Sequence, residues 1–462
     1  VVIASPAVRG TSPVRWLPLP VVLVAVFVTT LDFFIANVAI PAIRADLAAG
    51  PAATQLVFGG YGLAYAAGLI VSGRLGDLYG PRRVFLIGLA LFTLASLAAG
   101  TAPGILALIV ARVVQGSAAA LLAPQVLTLI GALYPGAHRA RAFGWYGTAT
   151  GLAGVSGQVV GGLLMAADLG GLGWRAVFLI NLPIGAVALV MARSVLPEIP
   201  RDRHGRTLDL PGAVLVAAGL VAIVLPLVQG PELGWPAWTW LLLGLAVPLL
   251  AAFVARQRAL AQPLLDLRVF GEPGFALGLV AVALLFGGSA GLSFVLAIHL
   301  QDGLGLGPLA AGMVFTALNA GFFVASLRRG RPVAGALAVV AGLAALHQVL
   351  PTGSPYLVAG ALGLAGAGMG MLMAPLISTV LAGVPRERSG AAAGVLGTVQ
   401  ETGGVLGGTL TGTVFLAAAG HGTPDWTSGA RTALLVLVVF AVVVSVVVVR
   451  LKAVSSTAVE VK

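Results

Sequence analysis

Fourteen apolar runs, 18 to 30 residues long, follow one another from residue 17 to residue 450. They lie near 17–40, 54–73, 82–101, 104–133, 142–166, 174–196, 210–229, 236–255, 274–299, 308–327, 333–350, 355–382, 390–418 and 430–450. A hydrocarbon core of about 30 Å takes roughly 20 apolar residues in helical form, so each run is long enough to span it. Within lipid the backbone must satisfy its own hydrogen bonds, which leaves helices as the solution for runs of this length. The first run, LPLPVVLVAVFVTTLDFFIANVAIP, is too long for the apolar region of a signal peptide. It is expected to be retained as the first helix.

The net charge of +11 would suggest a nucleic-acid partner, but the placement of the charges argues otherwise. Arginines concentrate in alternate connections, among them Arg74, Arg82, Arg83, Arg139, Arg141, Arg201, Arg203, Arg206, Arg256, Arg328, Arg386 and Arg388, while the other side carries little beyond Arg44, Arg175 and Arg431. This is the positive-inside pattern, with both termini expected in the cytoplasm and no nucleic acid as partner. The absence of cysteine excludes disulfides and thiolate metal sites. No lysine precedes Lys452, so the chain carries no Walker A loop and cannot use ATP through one. No metal spacing or nucleophile–base pair is evident in the runs, and neither a cofactor nor an enzymatic activity is expected.

The most polar internal stretch, PEIPRDRHGRTLD at 197–209, and a second connection at 256–273 divide the chain. The expected organisation is a six-helix bundle over 17–196, two additional helices over 210–255 and a second six-helix bundle over 274–450. An internal repeat supports it. GQVVGGLL at 157–164 matches GGVLGGTL at 403–410, and each is preceded by an Ala-Pro in an apolar run, at 123–124 and 374–375. Repeated halves with a site between them near the membrane midplane are a common plan for secondary transporters.

Charges inside the spans point to chemistry. Asp32 is a lone carboxylate in the first run, and an acid there costs roughly 2.5–3.5 kcal/mol on insertion scales. Arg112, in the fourth run, is its natural partner, and Gln115 follows on the same helical face. A carboxylate pulled one way by an arginine and the other by desolvation can be switched by moving the arginine or admitting water; a static ion pair is the alternative reading. Asn37 lies five residues past Asp32 and reads as structural, though it remains a cavity candidate. Glu401 is the second intramembrane acid, with Gln400 beside it. It would attract a cationic substrate, serve as a second proton site, or sit neutral and hydrogen-bonded at a helix interface. His299 and His347, near helix ends, read as interfacial.

Five motifs in order resemble those of the fourteen-helix drug:proton antiporters of the major facilitator superfamily. They are LDFFIANVAIP at 31–41, GRLGDLYGPRR at 73–83, RVVQG at 112–116, GLAGVSGQVVGG at 151–162 and WRAVFLINLPIG at 174–185. The resemblance implies an all-α membrane protein with two pseudo-symmetric six-helix bundles plus two inserted helices. It implies alternating-access export of lipophilic small molecules, cations among them, with proton uptake and release at the acid corresponding to Asp32. The driving force would be the proton gradient, the setting a bacterial inner membrane, and the working unit a monomer. A dedicated exporter of one metabolite or antibiotic fits the same motifs, and a non-transporting receptor fits them less well.

The resemblance also assigns residues. Gly73, Asp77, Gly80, Arg82 and Arg83 would form a cytoplasmic gating loop that latches the two halves in one state and releases them in the other. Gly151, Gly157, Gly161 and Gly162 would form the antiporter helix-packing motif. Three positions depart from the family pattern: Gln158 and Asn319 stand where proline is usual and Glu401 where an amide is common. All three are candidates for the substrate cavity, together with Asn37, Gln115 and Gln400.

Overall fold

The computed structural model describes residues 16–134, 137–199, 209–260, 263–265, 267–271, 274–327, 331–382, 384, 389–420 and 424–460. Among them every regular element is helical. The first bundle comprises α1 (Pro18–Val38), the short α2 (Ile40–Asp46), α3 (Pro51–Tyr79), α4 (Pro81–Gly100), α5 (Ile105–Leu133), α6 (Ala137–Ala167), α7 (Ala176–Leu179) and α8 (Asn181–Val195). Then come α9 (Leu210–Leu233) and α10 (Ala237–Ala259), followed by α11 (Phe275–Ile298), α12 (Pro308–Ser326), α13 (Pro332–Val349), α14 (Pro355–Ala382), α15 (Ser389–Ala419) and α16 (Trp426–Glu460). Among the described residues thirteen helical stretches are long and apolar enough to cross a membrane, one of them combining α7 and α8. With the 29-residue α3 they make fourteen long helical segments.

Local chemistry sets several boundaries. Pro51, Pro81, Pro308 and Pro332 open their helices, where the missing N–H costs nothing. Gly80 joins α3 to α4 with φ 89°, a conformation that side chains resist. Two outcomes differ from expectation. The first span ends at Val38 and is followed by α2, because Pro41 starts a new turn after the helix closes at Ala39. The last helix extends well beyond 430–450, from Trp426 to Glu460.

Each bundle has its own apolar core, with Phe85, Phe92 and Val126 in the first and Phe275, Leu346 and Leu372 in the second. The repeated glycines do equivalent work in the two. Gly157 and Gly161 of α6 seat α1, where a Cβ would stand 2.7 Å from Phe34 Cβ and 3.0 Å from Ile35 Cγ1. Gly403 of α15 likewise seats α11 against Ala283, 2.6 Å from a built Cβ, and Gly407 lies against Gly287. Small residues let membrane helices approach this closely and gain dispersion contact.

The inserted pair is clasped by Asp209. Its carboxylate accepts from Gly212 N at 3.0 Å, Arg256 Nε at 2.6 Å and Gln257 Nε2 at 2.8 Å, joining the start of α9 to the end of α10. Through Val224 and Val228, α9 packs on Ala52 of α3 and Val405 of α15. It therefore bridges both bundles.

The bundles meet at the end where α1 terminates. Gln301 Nε2 donates to the Val38 carbonyl at 3.1 Å, and Arg44 pairs with Asp302 at 3.9 Å. Gly162 lies against Leu309, 2.7 Å from a built Cβ to its Cα, and Gly312 lies against the Gln158 carbonyl. Towards the opposite end, a Cβ added at Gly73, Gly144 or Gly147 would meet nothing within 4 Å. His299 lies at the end of α11, where it begins a π-type turn, His299–Gly303, and is buried beneath Trp426. His347 is at the surface, bonded to Arg431.

Candidate functional site

A cavity of ≈ 390 Å³ lies between the bundles. Eight aromatic residues stand in its wall: Phe33, Phe34, Phe58, Tyr61, Tyr65, Phe286, Phe294 and Phe322. Polar groups interrupt it at Thr29, Thr30, Asn37, Gln55, Thr150, Ser289, Asn319, Gln400, Glu401 and Thr409. Glu401 is the one ionisable carboxyl in that wall, and among the described residues it has no hydrogen-bond or ion-pair partner. Apolar walls with a few placed polar groups suit a lipophilic ligand. Asn37 and Asn319 face the cavity but are already engaged, donating to Phe33 O at 2.8 Å and Gly154 O at 2.9 Å.

Asp32 is not in the cavity wall. It is fully buried inside the first bundle, and Arg112 is 1% exposed. Arg112 Nη1 lies 2.5 Å from Asp32 Oδ2. The other carboxylate oxygen accepts from Gln115 Nε2 and Asn181 Nδ2, each at 2.8 Å. Ser96 Oγ supports both amides, at 2.8 Å and 3.3 Å. The guanidinium also donates from Nε to Val57 O at 3.2 Å and from Nη1 to Gln115 Oε1 at 2.7 Å. It lies over the rings of Tyr61 and Phe178, 4.3 Å and 5.5 Å from their centroids. Burying charge costs several kcal/mol per ion unless the pair is close and otherwise hydrogen-bonded. Both conditions hold here, through groups from α1, α3, α4, α5, α7 and α8.

Several sequence expectations take a different form. Gln115 belongs to the Asp32 cluster and not to the cavity. Gln158 is buried and does not line the cavity, since beyond Gly154 helix α6 crosses α12 and its open face is covered. Arg82 does not reach the second bundle: it donates to Arg193 O at 2.6 Å and lies 3.6 Å from Glu198, tying α4 to the end of α8. Arg83 is exposed, and the side chain of Asp77 lies outside the described residues. The four α6 glycines separate into two pairs, with Gly157 and Gly161 seating α1 while Gly151 and Gly162 face α12.

Asn181, Ser96 and Tyr61 escaped the sequence reading, as did Asp46, which accepts from Trp174 Nε1 and Arg175 Nη1 at 2.8 Å each. Asn181 and the Trp174–Arg175 pair do fall within one of the motifs quoted above, the stretch WRAVFLINLPIG. The motif was the available signal for them. Nothing comparable marks Ser96.

Two helical bundles around an aromatic cavity, with a charge pair enclosed beside it, define a multi-pass membrane transporter. The chain belongs to the Major Facilitator Superfamily, whose family model matches residues 22–408. It is 39% identical over 444 residues to the probable actinorhodin transporter of Streptomyces coelicolor, covering 91% of this chain and 76% of that protein. It is 38% identical over 452 residues to the puromycin resistance protein pur8 of Streptomyces alboniger, covering 91% and 87%. Among solved structures, a bacterial homologue of the human lysosomal transporter Spinster, crystallised inward-facing and occupied, matches with a TM-score of 0.70 at 17% identity. That alignment covers 96% of this chain and 98% of that one, and it establishes the fold.

Proposed function

We propose that the chain exports lipophilic small molecules in exchange for protons, by rocking the 17–196 and 274–450 bundles about the central cavity. The observation that carries this reading is the Asp32–Arg112 pair, sealed one residue layer behind the cavity wall. A buried charge pair with a full complement of donors is costly to assemble, and an intramembrane ionisable group of this kind reads first as functional. Asp32 would bind the proton and Arg112 would control when. Glu401, unpartnered in the cavity wall, would take a cationic cargo or a second proton. With the arginine-rich loops in the cytoplasm, both termini are cytoplasmic, and the contacts that join the bundles where α1 terminates lie on the outer side. The proton gradient is the driving force, no cofactor takes part, and a monomer suffices. A potential of ~100 mV is worth about 2.3 kcal/mol per charge, enough for a roughly fifty-fold gradient of a neutral cargo per proton.

A dedicated exporter of a single antibiotic is the second reading. It is favoured by the names of the two relatives, each of which specifies one compound. Export of a panel of compounds from proteoliposomes under an imposed pH gradient separates the readings. Several unrelated compounds moved uphill support the broad one, and one compound alone supports the narrow one.

A further inference from the structure

The cavity and the charge pair share one wall. Of the groups that hold the Arg112 guanidinium, namely Asp32, Gln115, Val57 O, Phe178 and Tyr61, only Tyr61 also lines the cavity. Its ring lies 4.3 Å from the guanidinium carbon and it is 4% exposed. One turn further along α3 its ring stacks with Tyr65, another cavity residue, at 6.2 Å and 6°.

The backbone around Tyr61 is equally committed. Gly116 of α5 lies directly against its carbonyl, so α5 and the guanidinium it carries approach α3 at this point. Its neighbour Gly62 is in contact with Val405 of α15, 2.8 Å from a built Cβ, so movement of the second bundle reaches the same turn.

We propose that Tyr61 is the positioning residue that links cargo to proton: its ring separates the cavity from the Asp32–Arg112 pair and holds Arg112 on Asp32 until cargo or bundle movement displaces it. This rests on the reading of Asp32 as the proton site. A guanidinium over a desolvated aromatic face gains on the order of 2 kcal/mol. Displacing the ring removes that hold and opens the pair to cavity water. A carboxylate that loses its counter-charge in apolar surroundings favours its protonated form.

The test uses the full-length protein and two readouts that need no cargo. The first is labelling of Asp32 by dicyclohexylcarbodiimide, a lipophilic reagent for protonated carboxyls, read by peptide mass spectrometry as the ratio of labelled to unlabelled Asp32 peptide. The second is passive proton leak through proteoliposomes. Tyr61→Ala should raise Asp32 labelling and leak by about thirtyfold, in proportion to the lost contact. Tyr61→Phe, which keeps the ring, should match wild type. Tyr61→Leu, which keeps bulk without an aromatic face, should follow Ala and guards against a folding defect in the smaller variant. The extra leak should vanish when Asp32→Asn is added. Unchanged labelling in both Ala and Leu variants, or a Phe variant as leaky as Ala, would overturn the role of the ring. Leak that rises but survives Asp32→Asn would instead overturn Asp32 as the proton site, which keeps the two failures distinguishable.

Discussion

Asn181 Nδ2 lies 2.8 Å from Asp32 Oδ1, so the first residue of α8 completes the hydrogen bonding of a carboxylate on α1. An unmet buried acceptor costs about 1–3 kcal/mol, and more when it is charged. Asn181→Ala should therefore lower the thermal unfolding midpoint in detergent and slow export. Ser96→Ala, one contact further out, should do less. The ranking is checked by thermal unfolding of the two variants side by side.

Arg112 makes demands that lysine cannot meet. Its guanidinium reaches Asp32, Gln115 Oε1, Val57 O and the Tyr61 ring together, a planar multi-donor geometry. Arg112→Met should cost about 3–5 kcal/mol by stranding Asp32. The double variant Asp32→Asn with Arg112→Met should recover much of that loss without recovering transport. A double-mutant cycle in stability, paired with an export assay, makes the separation.

The glycines of α6 should fail in two different ways. Gly162→Leu pushes on Leu309 of α12 and should open the end where α1 terminates, seen as a longer distance between spin labels placed on the two bundles. Gly157→Leu pushes on Phe34 and Leu31 inside one bundle, so it should reduce folded yield and leave that distance unchanged in the surviving protein.

Asp46 gives a pH-dependent contribution outside the spans. Hydrogen bonds from Trp174 and then Arg175 hold its carboxyl below the ordinary value. A folded-state value below the unfolded one, about 3.9, adds stability above that pH and loses it as the pH falls through the folded value. Asp46→Asn should therefore lower the thermal midpoint at neutral pH, with the difference from wild type closing as the pH falls below the ordinary carboxylate value and through the folded one. A constant difference across that range would assign the effect to packing alone.

Glu401→Gln removes the ionisable carboxyl from the cavity wall while keeping its shape. Transport of tetraphenylphosphonium should fall more than transport of a neutral compound of similar size. Equal losses would remove Glu401 from cargo selection.

The spans and the repeat were legible in the hydropathy and the glycine pattern, and the Asp32–Arg112 pairing because two opposite charges inside apolar runs are costly enough to stand out and to favour meeting. Gln115 followed from its spacing after Arg112. Asn181 and Ser96 gave no such signal, since an uncharged amide or hydroxyl in an apolar run is common and its partner lies on another helix. Tyr61 reads as one more aromatic until the fold shows it touching both the pair and the cavity. Gln158 misled because helix α6 does face the cavity at Gly151 and Gly154, and only the crossing with α12 hides the next turn.

The most direct measurement is uphill export by Asp32→Asn in proteoliposomes under an imposed pH gradient, alongside wild type and with binding of the same compound measured independently. The expected result is retained binding and folding with no accumulation against the gradient. Undiminished uphill export by the variant would contradict proton coupling through Asp32.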